Sequence, residues 1–183
     1  MTSPGQATAP ALQALLADAA LAGSWTLDAA RSTVGLSSKS VWGLVKVKGA
    51  FGQVAGAGTV TPAGEVTGTV TVGSASIDTK NKKRDTHLRS AELFDSANHP
   101  DIVLTVTGIV PAGPGVTVTG QLTVRDQTRP VSFDATVAAA DAGEVALDAA
   151  VPVNRADFGL TWNQLGMASM DNIIDVHAVF SRA

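Results

Sequence analysis

The chain of 183 residues contains no cysteine and no tyrosine, and its aromatic complement is three Trp and five Phe. Without cysteine there is no disulfide framework, no Cys-ligated zinc and no iron–sulfur site. So few aromatic rings argue against a stacking platform for single-stranded nucleic acid, and a net charge of −3 leaves no basic footprint for a duplex. Long apolar runs are missing as well, because nothing approaches the ~18 residues of a membrane-spanning helix. The expectation is therefore no nucleic acid and no transmembrane segment. Val, Ala, Thr and 18 Gly supply most of what remains, which is the composition of strands and turns. The length suits one domain able to bury its own core.

Residues 1–22 read as an extension of that domain. Within 11–22, Leu12, Leu15, Leu16 and Ala19 follow helical spacing, which predicts a short amphipathic helix packed on the body. The run has the length of a signal-peptide core, with Ala20-Leu21-Ala22 as a cleavage-like end. Yet no Lys or Arg precedes Arg31, and Asp18 interrupts it. The reading is a cytoplasmic protein whose main domain is 23–183.

From residue 23 the hydrophobic period is two. Ile102/Leu104/Val106 oppose Val103/Thr105/Thr107; Val116/Val118/Leu122/Val124 oppose Thr117/Thr119/Gln121/Thr123; Val131/Phe133/Ala135/Val137 oppose Ser132/Asp134/Thr136. The same alternation runs through Val145/Leu147/Ala149/Val151 and Ile174/Val176/Ala178/Phe180. Each segment predicts a half-buried antiparallel strand. Earlier strands are expected at 24–28, 31–39, 44–54, 57–61 and 66–75. Turn signals at 62–64, 111–115 and 141–143 separate them. This is an all-β chain, with a barrel or a sandwich as its two architectures. An eight-stranded barrel lined by small aliphatic residues leaves room for one apolar ligand, whereas a sandwich interdigitates the same residues and stays dry.

The chemistry-bearing residues are concentrated in 76–100. Lys80, Lys82, Lys83, Arg84 and Arg89 share this stretch with Asp85, His87, Leu88, Leu93 and Phe94. Asp85 and Arg89 stand four apart, as do Arg84 and Leu88, so a short helix within 78–98 would gather each pair on one side. Arg84, His87 and Arg89 can orient a polar head group, or with Asp85 they can tie the segment to neighbouring loops. The lysines read as solvent-facing. His87, His99 and His177 have no metal-ligand spacing, and no Gly-x-Ser-x-Gly elbow or phosphate loop occurs. Trp25, Trp42 and Trp162 suit the ends of a barrel or its core.

Taken together, Ser76-Ile77-Asp78-Thr79, Asn81, Arg84-Asp85-x-His87-Leu88-Arg89-Ser90, Phe94-Asp95 and Pro100 resemble the signature of the YceI-like family. Further pieces follow in the right order. They are Trp25-x-Leu27-Asp28, Ser32-x-Val34, Val47-Lys48-Gly49-Ala50-Phe51, Gly56, the stretch Leu122 to Val131, and Asn154-Arg155-x-Asp157-Phe158-Gly159-Leu160-x-Trp162. The resemblance covers roughly 24–181. It implies an extended lipocalin-like antiparallel β-barrel of about eight strands, with a hydrophobic pore that holds a long-chain isoprenoid or similar lipid. Such proteins are associated with isoprenoid quinone metabolism, transport or storage, are frequently dimeric, and have no established catalytic residues.

Three departures stand out. Ser40 lies where relatives often carry His, and Asp126 replaces a turn glycine, while Leu93-Phe94 stands for a Phe-Phe pair. The functional expectation is a non-enzymatic carrier with no cofactor beyond its lipid, a polyisoprenoid or isoprenoid quinone precursor held in the barrel, and a homodimer as candidate assembly. Trp42, Phe51, Leu104, Val106, Phe133 and Trp162 are the expected wall, with Arg84, His87 and Arg89 at the mouth. Two other classes stay open: an enzyme of isoprenoid chemistry using Asp85 and His87, and a dry structural barrel pairing through its strand edges.

Overall fold

A computed structural model describes Ala14, Ala17, and residues 19–141, 143–163 and 166–183. The strands are β1 (Gly23–Leu27), β2 (Thr33–Ser40), β3 (Val45–Phe51), β4 (Val54–Val60), β5 (Val66–Gly73) and β6 (Ile77–Asp78). After the helix α1 (Lys82–Arg89) come β7 (Asp101–Ala112), β8 (Gly115–Val124), β9 (Gln127–Ala140), β10 (Glu144–Asn154) and β11 (Asp171–Arg182). The helix expected within 11–22 lies outside the described residues except for Ala14 and Ala17, both helical and exposed.

Eight strands close into an antiparallel barrel in the order β1-β4-β5-β7-β8-β9-β10-β11, sealed where Trp25 pairs with Arg182 and Leu27 with Phe180. β11 is long enough to serve two partners. Its last residues pair with β1, while Ile173–His177 pair with Ser37–Thr33 of β2, so β2, β3 and β6 branch from the ring as an extension of the wall. Closure removes the sheet edges that an open sandwich would leave in the ring. β9 and β10 pair only over Thr136–Ala140 and Val145–Asp148, then diverge, and the 3-10 turn Arg155–Phe158 lies against β9.

The inward faces largely follow the alternation, but Ala146 and Val179 on the opposite faces are also buried, and register shifts occur between Ala146 and Leu147 on β10 and in β7. A β-bulge between Val106 and Gly108 adds a residue to β7 opposite β8, and this extra residue reverses the alternation. Beyond it Ile109 turns to the interior, while Val110 is 59% exposed.

Two hydrophobic clusters lie toward the two ends of the barrel. At the α1 end, Val34, Phe51, Val72, Ile77, Leu93, Phe94, Leu122 and Phe158 pack together. At the other end, Leu21, Trp25, Val106, Val116, Val118 and Val137 do so. Full burial of each such aliphatic or Phe side chain contributes about 1.5–3 kcal/mol. Trp25 plugs its end: its indole N–H donates to the Leu21 carbonyl at 2.8 Å, and the Arg182 guanidinium lies 4.9 Å over its ring. Leu104 packs against both clusters and marks the boundary between them.

Candidate ligand cavity

The segment from Ser74 to Pro100 folds back over one mouth of the barrel. Asn81 caps α1, its side-chain oxygen accepting from the Arg84 N–H at 3.0 Å. Asp85 is buried and accepts hydrogen bonds from the backbone N–H and the hydroxyl of Thr79. Arg84 donates to the Thr79 hydroxyl and carbonyl, and Arg89 donates to the carbonyls of Ala75 and Ile77. These charge-assisted bonds anchor α1 to the strand end before it. With α1 so fixed, His87 and Leu88 face the barrel interior.

Below α1 lies a cavity of about 360 Å³, within the roughly 300–1,000 Å³ range of small-molecule sites. Val34, Leu36 and Phe51 form one side of it, Val70 and Val72 the next, then Leu104, Leu122, Val124, Phe133, Val151 and Val153. The wall is almost wholly apolar. Polar character is confined to the mouth, where Ser38, Lys39, Ser40, Thr79, Arg84, His87, Arg155, Trp162 and Asn172 stand. No carboxylate lines it among the described residues. Val70 also borders a smaller apolar space of about 110 Å³ toward Trp25, so the two voids adjoin along β5. A third depression, of about 820 Å³ and wide open, carries Asp134, Asp148, Asp175 and His177; its polar, open character sets it apart from an apolar binding space.

Of the residues expected from sequence, Phe51, Leu104, Phe133, Trp162, Arg84 and His87 all reach the cavity. Val106 lines the smaller void instead. Trp42 does not line the cavity: it sits in the turn between β2 and β3 with φ +51°, which turns its ring outward to 67% exposure. Arg89 does not line it either, because its guanidinium is turned to backbone carbonyls. Of the three histidines, His87 pairs with Glu92 at 2.6 Å, His177 with Asp148 at 2.6 Å, and His99 lies 3.8 Å from Asp95. No group of three or more metal-ligating residues gathers among the described residues.

The mouth residue that sequence reasoning missed is Arg155. Its guanidinium donates to the carbonyls of Leu160, Trp162 and Ser169 at 2.7, 2.8 and 3.0 Å. Burial lowers its pKa from a starting value so high that it remains charged. Asn163 closes the same loop through two bonds to Ala168. The loop thereby presents Trp162 to His87 across the mouth. The available signal was an arginine beside Asp157-Phe158-Gly159, charge placed next to an apolar core segment.

Comparison with known proteins matches residues 25–181 to the family described as YceI-like domain. The protein YceI of Escherichia coli O157:H7 is 38% identical over 66 residues, 36% of this chain and 35% of that protein. UPF0312 protein ECA1782 of Pectobacterium atrosepticum is 41% identical over 66 residues, 36% of this chain and 34% of that protein. The matched stretch thus spans about a third of these curated relatives. Among solved structures, BcnA of Burkholderia cenocepacia superposes with a TM-score of 0.75 at 25% identity, covering 84% of this chain and 98% of its own. A polyisoprenoid binding domain from Saccharophagus degradans superposes with a TM-score of 0.70 at 17% identity, over 87% of this chain and 98% of its own.

Proposed function

On the premise that this chain belongs to the YceI-like domain family, we propose that it is a carrier that sequesters one long-chain apolar lipid, a polyisoprenoid or an isoprenoid quinone precursor, inside its barrel. The observation that carries this reading is the make-up of the void: an apolar cavity with its charged lining residues, Lys39, Arg84 and Arg155, collected together with His87 at the mouth. Such a cavity suits an amphiphile with its tail inward and its head at the mouth. Affinity comes from burial, at about 0.8 kcal/mol per CH₂ removed from water. Position comes from the few donors at the rim.

A carrier, rather than an enzyme, is also the reading the polar contacts support. Asp85 is committed to Thr79 and His87 to Glu92, so the acid–base pair an enzyme would need from these two residues is not assembled. The Saccharophagus degradans domain, described as polyisoprenoid binding, has the same barrel and is consistent with an isoprenoid guest.

The test is to purify the chain natively, extract it with organic solvent and analyse the extract by mass spectrometry. A polyprenyl or quinone-like species at one per chain supports the carrier and identifies its guest. An empty extract, together with no binding of added polyprenyl lipids, would leave the dry barrel as the better account.

A further inference from the structure

The β2–β3 hairpin has features that the carrier role leaves unused. Its tip, Val41-Trp42-Gly43-Leu44, projects apolar side chains into solvent: Trp42 is 67% exposed and Leu44 83%. Val41 and Trp42 both hold positive φ, +52° and +51°, in a turn closed by the Gly43 N–H on the Ser40 carbonyl at 3.2 Å. Left-handed backbone in a β-branched residue and a Trp is costly, and such strain collects where function demands it. The turn is also braced from behind, since the Trp42 N–H donates to the Met167 carbonyl and the Ser169 N–H to the Lys39 carbonyl.

The hairpin stem is basic. Lys39 stands directly across from Lys46, and Lys48 across from Ser37. Like charges facing each other on neighbouring strands repel. No carboxylate forms an ion pair with any of the three lysines among the described residues. Lysines do guard free sheet edges, and β6 covers only Ala50 and Phe51 of β3. Edge protection, however, does not explain an exposed Trp and Leu on the same hairpin, which would undo it. A bare indole and isobutyl tip above a collar of unpaired lysines instead has the chemistry of an anionic bilayer surface, where Trp sits at the head-group level and Lys meets phosphate. The hairpin also leads to the mouth, because Ser38, Lys39 and Ser40 form part of its rim.

We propose that the β2–β3 hairpin docks the barrel, mouth first, onto anionic lipid bilayers, with Trp42 and Leu44 inserted into the interface and Lys39, Lys46 and Lys48 over the anionic head groups. This goes beyond lipid carriage, as it concerns where the mouth meets a membrane and needs no guest in the cavity.

The experiment is flotation of the full, delipidated chain with phosphatidylcholine vesicles, with and without phosphatidylglycerol. The chain is expected to float with the anionic vesicles only. Lys46→Ser with Lys48→Ser should lower partitioning about thirty-fold, at about 1 kcal/mol per lysine near the surface. Trp42→Ser with Leu44→Ser should lower it at least as far. Val41→Asn with Trp42→Gly serves as the control for folding, because Asn-Gly suits this turn: it should raise thermal stability while weakening flotation. Wild type that does not float, or variants that float equally well, would overturn the proposal. So would hairpin variants that abolish a dimer in sedimentation while leaving flotation intact, which would make a second copy the occupant. A chain that floats but yields an empty native extract and binds no added polyprenyl lipid would uphold docking and sink the carrier reading.

Discussion

The imidazole of His87 meets the indole of Trp162 edge to face, with ring centroids 4.1 Å apart and planes at 79°. His87 comes from α1, and Trp162 from the loop that Arg155 holds by its carbonyl. Two segments more than seventy residues apart therefore close one mouth through a single ring contact. Such a pair contributes about 0.5–1.5 kcal/mol beyond its buried area. Trp162→Ala should leave the barrel folded and open the mouth. The measurable consequence is release of a fluorescent polyene lipid about tenfold faster, equivalent to about 1.4 kcal/mol. An unchanged release rate would show that the pair does not gate the cavity.

Filling the cavity separates lipid binding from folding. Leu104→Trp places a larger ring where the wall borders open space, so the strain of overpacking a dense core is largely avoided. Lipid binding should fall sharply in titrations with polyprenyl phosphate or quinone, while the denaturation midpoint holds or rises. Undiminished binding would place the guest elsewhere.

Arg155 should resist conservative replacement. Its planar fork spans the carbonyls of Leu160, Trp162 and Ser169, a geometry that a single ammonium cannot reproduce. Hydrogen bonds to charged groups contribute about 1.5–3 kcal/mol each, so Arg155→Lys is expected to cost about 2 kcal/mol in urea unfolding and Arg155→Met more. A Lys variant as stable as wild type would contradict this account.

Asp85 anchors the helix by accepting from both the N–H and the hydroxyl of Thr79, itself buried. Asp85→Ala leaves those donors unpaired in the core, a loss of about 1–3 kcal/mol. Asp85→Asn keeps one acceptor and should retain most of the stability. Hydrogen exchange should localise the Asp85→Ala defect to residues 77–90, and uniform destabilisation of the barrel would argue against a local anchor.

At the opposite surface, Arg31 forms a two-pronged pair with Glu144 at 2.7 Å, and this pair holds the Glu144 carboxyl below its ordinary value of 4.5. A depressed folded-state pKa means the contribution is present above the unfolded value and disappears as pH falls through the folded one. Wild type should therefore lose a small stability increment below about pH 4.5 that Glu144→Gln lacks, and salt should reduce the difference at neutral pH. Parallel acid-denaturation curves for the two proteins would exclude it.

Much of the strand layout was legible because half-buried strands leave a period-two trace that needs no tertiary knowledge. Val116, Val118, Leu122 and Val124 face inward as that trace predicts. The reversal at Val106/Gly108 was invisible, since a bulge adds a residue without changing composition. Trp42 illustrates a different limit. A large aromatic residue near the V-x-G-x-F strand reads as wall, but its direction depends on turn dihedrals that spacing does not encode. Arg84 and Arg89 look equivalent in sequence, yet five residues along a helix turn the second toward the carbonyls of Ala75 and Ile77 and away from the mouth.

The sequence by itself determined an all-β chain free of disulfides, most of the strand faces, the turns between them, a short helix within 78–98 and the family to which they belong. Those properties are local, written in side-chain periodicity, turn residues and motif. Only the tertiary structure decided that β11 closes the ring on β1 while feeding a second branch through β2, and that a void remains among the side chains of the cluster at the α1 end. It alone brought Arg155 and Trp162 to the same mouth as His87. Ring closure and cavity volume are sums over contacts distant in sequence, so no window along the chain contains them.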